Sequence, residues 1–496
     1  MTSIPMEATA QPRLALPSLA WLMLGVLAAL MLPSVTMMWD PLVRHDDYPA
    51  LLGVPELFYD KTLSEGRWLN YAWHLRGVIT PAWLNFLAYN ALFALYLAVM
   101  ADMAMGPRGG AWRKLFVAAI AGLAVPQLVI SPWFNTLIPG MAVVALYAVL
   151  SANLGNRASR ALLPIFVPVA LMAYTTYPFM LLALCLLRQD ARRSWADLAG
   201  LLGLFLVSFA IGMLAIYGLN KVEHGVFGIV MADWRNPNPL DGLPALYENL
   251  SVVWAYLHAI TINASFSHAE LFLAQAALFC AGVWMVARRD PFRAIYPLAG
   301  LVLGLSMLLA QGLRTGIELP MRTSGFAWAC YAVFVGWLSL ELRDAGRARL
   351  GRNLLFVVAA LYVAMAGIER HLTNAWQTYS HALAAEIGTG PEPLLITGTY
   401  RSLPPARKSQ LQGPLAVIFR LEHLTGRAVY LCEAEPEPCA ALPAKLLEGL
   451  DDPAPGQLHA ITRREDAVVV SFQSEPIMDQ RVDTSLSDMP RPIAGG

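Results

Sequence analysis

The chain has 496 residues, 57% of them hydrophobic and only 14% charged, with a formal net charge of zero at pH 7. Soluble domains average about 25% charged residues, and a chain without net charge carries no electrostatic footprint for nucleic acid. The composition therefore implies a polytopic α-helical membrane protein and excludes nucleic acid as a partner.

In chain order, residues 1–13 form a polar N-terminal tail, expected to be cytoplasmic. The run Leu14–Met38 is too long for a signal-peptide core and lacks a convincing small-residue cleavage site, so it reads as an uncleaved first span. Further spans are expected at about 81–103, 115–130 and 137–152, each near the roughly 20 residues a crossing helix needs. Residues 161–187 are expected to fold as a hairpin at Tyr174-Thr175-Thr176-Tyr177-Pro178. Arg157 and Arg160 precede it and Arg188, Arg192 and Arg193 follow it, so both ends belong on one side of the membrane. Spans at about 195–219, 268–287, 295–312, 323–341 and 353–369 complete a set of about eleven. The long connection 220–267 is rich in Pro, Asn and Gly and contains an apolar stretch at 244–263 that suits an interfacial or re-entrant helix.

With the N-terminus inside, the inner loops carry about 16 Lys/Arg and the longer outer loops about 8, the bias of the positive-inside rule. The first outer loop, 39–80, the 220–267 and 312–322 loops and the C-terminal tail then lie outside. Residues 371–496 change composition. Short strands at 394–400, 428–434 and 467–473, with helices at 372–387 and 413–424, predict a small α/β domain on the outer face with a loose end after about 476. Residues 14–370 are thus a membrane domain. Cys432 and Cys439 are close enough to pair in an oxidising compartment; Cys185, Cys280 and Cys330 fall in apolar runs and read as packing residues.

The first outer loop concentrates the chemistry. Asp46 and Asp47 are adjacent carboxylates a few residues beyond the first span. One can act as general base on a hydroxyl while the other orients a neighbour. They also permit a divalent cation, Mg or Mn, although no wider ligand cluster or other resident metal is indicated. Gly66-Arg67-Trp68 follows, in a segment, 55–74, expected to form an amphipathic helix on the membrane surface. Arg67 can pair with phosphate in a bidentate way. Lys221, Glu223, His224, Asp233, Arg235, Arg314, Glu318 and Arg322 occupy the other outer loops, and Arg314 and Arg322 bracket Glu318 as a possible phosphate clamp. His74 and His224 read as structural or solvated. No phosphate-binding glycine loop, zinc-protease helix or nucleophile elbow is present.

An uncleaved first span, the motif His45-Asp46-Asp47 and the segment Gly66-Arg67-Trp68 resemble the GT-C class of integral membrane glycosyltransferases. Within it the likeness is greatest to the type II serotype-converting O-antigen glucosyltransferases. The hairpin, LPMRTSGF at 319–326, and the stretch 371–400 extend that likeness. Where the resemblance leads one to expect an arginine after the acidic pair, this chain has Pro49-Ala50-Leu51-Leu52.

The resemblance implies a multi-pass enzyme of the bacterial inner membrane with a periplasmic C-terminal domain. It would take a polyprenyl-phosphate-linked sugar, glucose by likeness, and pass it to a cell-surface glycan or lipid-linked acceptor. Asp46 or Asp47 would be the base, with Arg44, His45, Arg67, Trp68, Arg314, Glu318 and Arg322 at the donor phosphate and substrate. Removing either aspartate is expected to abolish turnover with little effect on folding. The rivals are a transporter or flippase of lipid-linked sugars, a glycan polymerase or ligase, and a non-catalytic assembly protein. Charges placed at loop edges rather than mid-bilayer weigh against transport.

Overall fold

The structure, a computed structural model, describes residues 16–188, 193–232, 235–411, 413–433, 439–440 and 443–472. The N-terminal tail, Asp233 and the expected loose end lie outside the described residues. Among the described residues, eight helical stretches are long and apolar enough to cross a membrane, fewer than the eleven expected.

Proline accounts for most of the difference, because it cannot donate to the preceding turn and clashes with it. The expected span 115–130 is a 12-residue helix, Ala111–Gly122, followed by a separate short helix, Val125–Ile130, with Pro126 in its first turn. Pro132 sits in the tight turn Ser131–Trp133 that leads into the helix Phe134–Asn153. The hairpin is present, with arms Leu163–Leu171 and Tyr177–Leu187 that both begin on a proline-containing turn. Its base is tied by Arg188, whose Nη1 donates to the Ser151 carbonyl at 2.7 Å. Its tip accepts a hydrogen bond at the Met172 carbonyl from the Leu69 N–H. The hairpin therefore meets the end of Phe134–Asn153 at its base and the first loop at its tip.

Gly325–Asp344 is the central post: 89% of its most apolar window is buried, against 28% for the peripheral helix Trp195–His224. Ala111–Gly122, Ala269–Arg289 and Ala348–Thr373 pack around it. Close approach depends on small residues, as between helices that have only dispersion to hold them together. A Cβ on Gly351 would lie 2.6 Å from the Ser339 carbonyl oxygen.

The two ends of the bundle differ in kind. One end is basic and cross-linked by ion pairs: Arg289 and Arg343 meet Asp344, each at 3.0 Å, Arg108 also reaches Asp344, and Arg160 meets Asp197 at 2.6 Å. The other end gathers the 39–80 loop, the hairpin tip, the turn at Ser131–Trp133 and the segment before Gly325. The C-terminal domain sits on this second end. Its sheet has strands β1 (Leu394–Thr397), β2 (Val429–Leu431), β3 (His459–Arg463) and β4 (Val468–Phe472) in the order β2-β1-β4-β3. β1 is parallel to both β2 and β4, and β3 is antiparallel to β4. The three expected strands are all in the sheet; β3, whose residues are half exposed, was not expected. Cys432 and Cys439 are joined by a disulfide just after β2.

Candidate functional site

The expected surface helix 55–74 is two helices, Glu56–Glu65 and Trp68–His74, broken at Gly66. Gly66 has φ +69°, and a Cβ there would meet Ile216 Cγ2 at 2.8 Å. Both the left-handed backbone and the close approach demand glycine. The break turns Arg67 back toward Asp46.

Asp46, 6% exposed, lies at the centre of a chain of alternating charges. His45 Nε2 is 3.0 Å from Oδ1, Lys61 Nζ is 3.4 Å from the same oxygen, and Arg67 Nη1 is 3.5 Å from Oδ2. Glu65 in turn holds Lys61 at 3.1 Å, Arg235 at 2.6 Å and Arg67. Burial by itself would raise the Asp46 carboxyl, but Lys61, His45 and Arg67 together hold it well below the usual carboxylate range. The same balance holds for Glu65, brought down to about 2 by Arg67, Lys61 and Arg235 against its burial.

Asp47 is fully buried and is bound in another way. Its Oδ2 accepts the Asn135 N–H at 3.1 Å and its Oδ1 the Thr136 N–H at 2.8 Å. These are donors of the first turn of Phe134–Asn153, which have no partner within the helix. Asp47 thus caps that helix across the fold, and the Thr136 hydroxyl donates to the Asp46 carbonyl at 2.8 Å in return. Burial pushes the Asp47 carboxyl up to about 7 in spite of these bonds. His74, stacked on Phe58 at 4.2 Å with Nε2 3.3 Å from the Thr136 hydroxyl, is pushed down to about 4 by burial and then by Arg76. The sequence left open which aspartate is the base and which orients a neighbour; the geometry separates them. Asp46 faces cations, and Asp47 faces peptide N–H groups. Both are buried and partnered, so neither can be removed without cost to folding.

Arg67 also lies over Tyr174 of the hairpin tip, 5.6 Å from the ring centre. Trp68 is an anchor: its Nε1 donates to Asn220 Oδ1 at 2.8 Å, beside His224.

A second cationic group stands beside the first. Arg44, 3% exposed, and Arg322 both lie against Trp133, with guanidinium carbons 5.0 and 4.3 Å from the ring centre. Arg44 Nη1 donates to the Gln410 carbonyl of the C-terminal domain. Arg370, 4% exposed, donates to Ser34 Oγ at 3.0 Å, to the Leu128 carbonyl at 3.2 Å and to Ser131 Oγ. Among the described residues none of the three makes an ion pair with a carboxylate. Burial first, then Arg322 and Arg370, lower Arg44 to about 9. Two like charges on one indole, within about 9 Å, repel by about 2 kcal/mol at an effective dielectric of about 20.

Arg314 and Glu318 stand apart from both groups, exposed and without a side-chain hydrogen bond or ion pair among the described residues. Lys221 Nζ donates to the Gly225 carbonyl at 2.9 Å and Glu223 accepts from the Tyr59 hydroxyl at 2.9 Å, which fixes the end of Trp195–His224. Sequence reasoning missed Lys61, Glu65, Trp133 and Arg370. The i,i+4 pair Lys61–Glu65 ahead of Gly66 was a usable signal; Arg370, on the last span, had none.

A divalent cation does not suit this donor set. Asp46 is already met by three cationic side chains, and among the described residues no three His, Cys, Asp or Glu converge. An apolar slot lies between the hairpin arm Tyr177–Leu187 and the helices Pro291–Thr315 and Gly325–Asp344, lined by Phe179, Leu182, Leu186, Leu301 and Phe326 among others. Arg322 lies four residues before Phe326, which lines the slot.

No protein-family model, curated protein or solved structure matches this chain.

Proposed function

We propose that this protein is a GT-C-type membrane glycosyltransferase. It moves a sugar, glucose by resemblance, from a polyprenyl-phosphate donor to a cell-surface glycan or lipid-linked acceptor. The reaction takes place on the outer face of the bacterial inner membrane, with the basic end of the bundle in the cytoplasm. One observation carries the reading: Asp46 is a desolvated carboxylate kept ionised by Lys61, His45 and Arg67 at one end of an apolar bundle. Ionisable groups kept this close to the bilayer mark function far more often than structure.

In this reading Asp46 accepts a hydrogen bond from the acceptor hydroxyl and fixes its direction of attack on the anomeric carbon. Its neighbours make it a weak base in the ground state. The hydroxyl becomes acidic as its bond to carbon forms, and the proton passes to Asp46 at that stage. Arginines at this end stabilise the charge that develops on the leaving phosphate. The apolar slot lined by Phe326 is suited to the isoprenoid chain. The residues of the site supply no reason to route a step through a metal.

The test is to supply the purified protein with defined polyprenyl-phospho-sugars and a glycan acceptor. Release of polyprenyl phosphate together with a sugar-extended acceptor supports the proposal. Movement of the intact donor across the bilayer without release of polyprenyl phosphate would make the protein a flippase.

A further inference from the structure

At the basic end of the bundle, most cations around the central post are paired. Arg108, Arg289 and Arg343 share Asp344, Arg289 also meets Glu341 at 2.9 Å, and Lys114 meets Asp102 at 2.5 Å. Arg113 is the exception. It is 8% exposed, and its guanidinium carbon lies 4.3 Å from the ring centre of Trp112. Its Nε donates a long hydrogen bond to Ser339 Oγ, 3.4 Å away. Among the described residues no carboxylate pairs with it, and the charge that acts on it is another cation, Arg343. A buried charge without a partner is costly, and the planar fork of an arginine is suited to an oxyanion such as phosphate.

The surroundings of Arg113 narrow the kind of anion. The helices Ala111–Gly122 and Ala348–Thr373 both begin at this end and pack side by side. Phe116 meets Phe356 edge-on at 5.8 Å, and Trp112, one turn nearer the end, meets Phe116 at 5.6 Å. On the second helix Arg352 stands one turn nearer the end than Phe356, and Arg349 one turn further on the same face. Ser339 joins the two helices at that level: it accepts from Arg113, and a Cβ on Gly351 would lie 2.6 Å from its carbonyl oxygen. Arg349 and Arg352 are exposed, and among the described residues no carboxylate pairs with either. Neither helix has a capping side chain or an acidic residue in its first turn, so their free N–H groups add to the positive potential. Phe356 and Val357 are exposed toward the lipid. The groove is therefore cationic at the membrane surface and apolar below it.

We infer that Arg113, Arg349 and Arg352 bind the phosphate of an anionic glycerophospholipid, with an acyl chain lying along Phe116 and Phe356. Basic pockets between helices at a membrane surface recognise such headgroups. A zwitterionic lipid fits less well, because its own ammonium group competes with the arginines for the phosphate. A soluble phosphate makes no use of the exposed Phe356. With the basic end in the cytoplasm the bound lipid belongs to the inner leaflet. The site lies at the opposite end of the bundle from Asp46, and the inference does not rest on the transferase reading.

The purified full-length protein in dodecyl maltoside tests this by native mass spectrometry, which counts bound lipid. The probes are dioleoyl phosphatidylglycerol, dioleoyl phosphatidylcholine and glycerol 3-phosphate. The expected result is that phosphatidylglycerol binds more tightly than phosphatidylcholine by about tenfold or more. Arg349→Gln combined with Arg352→Gln should remove most of that preference, and both side chains are exposed, so this variant is expected to fold. Arg157→Gln combined with Arg288→Gln removes the same charge from exposed positions elsewhere at this end and should keep the preference. Arg113→Gln probes the buried member, and the exposed pair carries the test if that variant does not fold. Equal binding of the two lipids would overturn the inference, as would equal losses in the two double variants. Displacement of phosphatidylglycerol by an equal concentration of glycerol 3-phosphate would overturn the lipid as the source of the phosphate. None of these readouts involves sugar transfer, so this inference and the transferase reading fail separately.

Discussion

At Asp46 three cations offset the cost of burying a carboxylate; at Asp47 two peptide N–H groups reduce that cost without cancelling it. Their substitutions should therefore fail in different ways. Asp46→Asn keeps the shape and loses the base, so turnover should fall by about 10²–10⁴, the usual worth of general acid–base catalysis. Asp47→Ala leaves two helix-end donors unmet, a loss of about 0.5–2 kcal/mol typical of a missing cap, read by unfolding in detergent. The pH dependence has a definite sign. Asp47 sits higher in the folded chain, at about 7, than in the unfolded one, so the folded state binds the extra proton between about pH 4 and 7. The stability it contributes is full below about 4 and is lost as pH rises toward 7. Asp47→Ala should therefore cost more at pH 5 than at pH 8. Glu65 runs the other way: its folded value, about 2, lies below the unfolded one, so its contribution is present above about pH 4 and is lost as pH falls. Because Lys61, Arg67 and His45 already serve Asp46, chelation with EDTA should leave turnover unchanged; a strict metal requirement would contradict this reading of the donor set.

Gly66 is the joint between the two short helices of the first loop, and it shows what sequence could and could not convey. The segment 55–74 carries helix-compatible residues throughout, and Gly66-Arg67-Trp68 was noticed as a motif. That a single left-handed residue would fold Arg67 back onto Asp46 depends on Ile216, a hundred and fifty positions away. Gly66→Ala should lose roughly 1 kcal/mol or more, because both the backbone angle and the space are wrong, and turnover should fall with the displacement of Arg67. Long apolar helices such as Ala82–Met105 and Pro291–Thr315 were legible because hydropathy reports them directly. The same signal mistook 115–130 for one span, since apolar content does not reveal the break between Gly122 and Val125. Strands β1, β2 and β4 were legible from β-branched runs; β3, half exposed, lacks such a run. Among the site residues, the acidic pair and Arg322 stood out by position. Lys61 lies in the same loop, but Trp133 and Arg370 come from distant elements, and only the packed fold brings them to this end of the bundle.

On the scale of the whole molecule, the C-terminal domain is joined to the site rather than merely appended. Arg420 Nη2 donates to Asp40 Oδ2 at 2.6 Å, His381 Nε2 lies 3.0 Å from the same oxygen, and Tyr48 meets Phe419 at 5.3 Å. Gln410 accepts from Arg44 in the same seam. Arg420→Gln should loosen this docking and raise amide exchange across 39–48. Unchanged exchange would show that the seam does not depend on the ion pair. The central claim is that Asp46 is the base for transfer from a lipid-linked sugar. Single-turnover transfer by purified wild-type, Asp46→Asn and Asp47→Asn proteins, each shown by size-exclusion to be folded, tests it most directly. The account predicts measurable polyprenyl phosphate release by wild type, retention of much of it by Asp47→Asn, and loss of about 10²–10⁴ in Asp46→Asn alone. Near wild-type release by folded Asp46→Asn would contradict it.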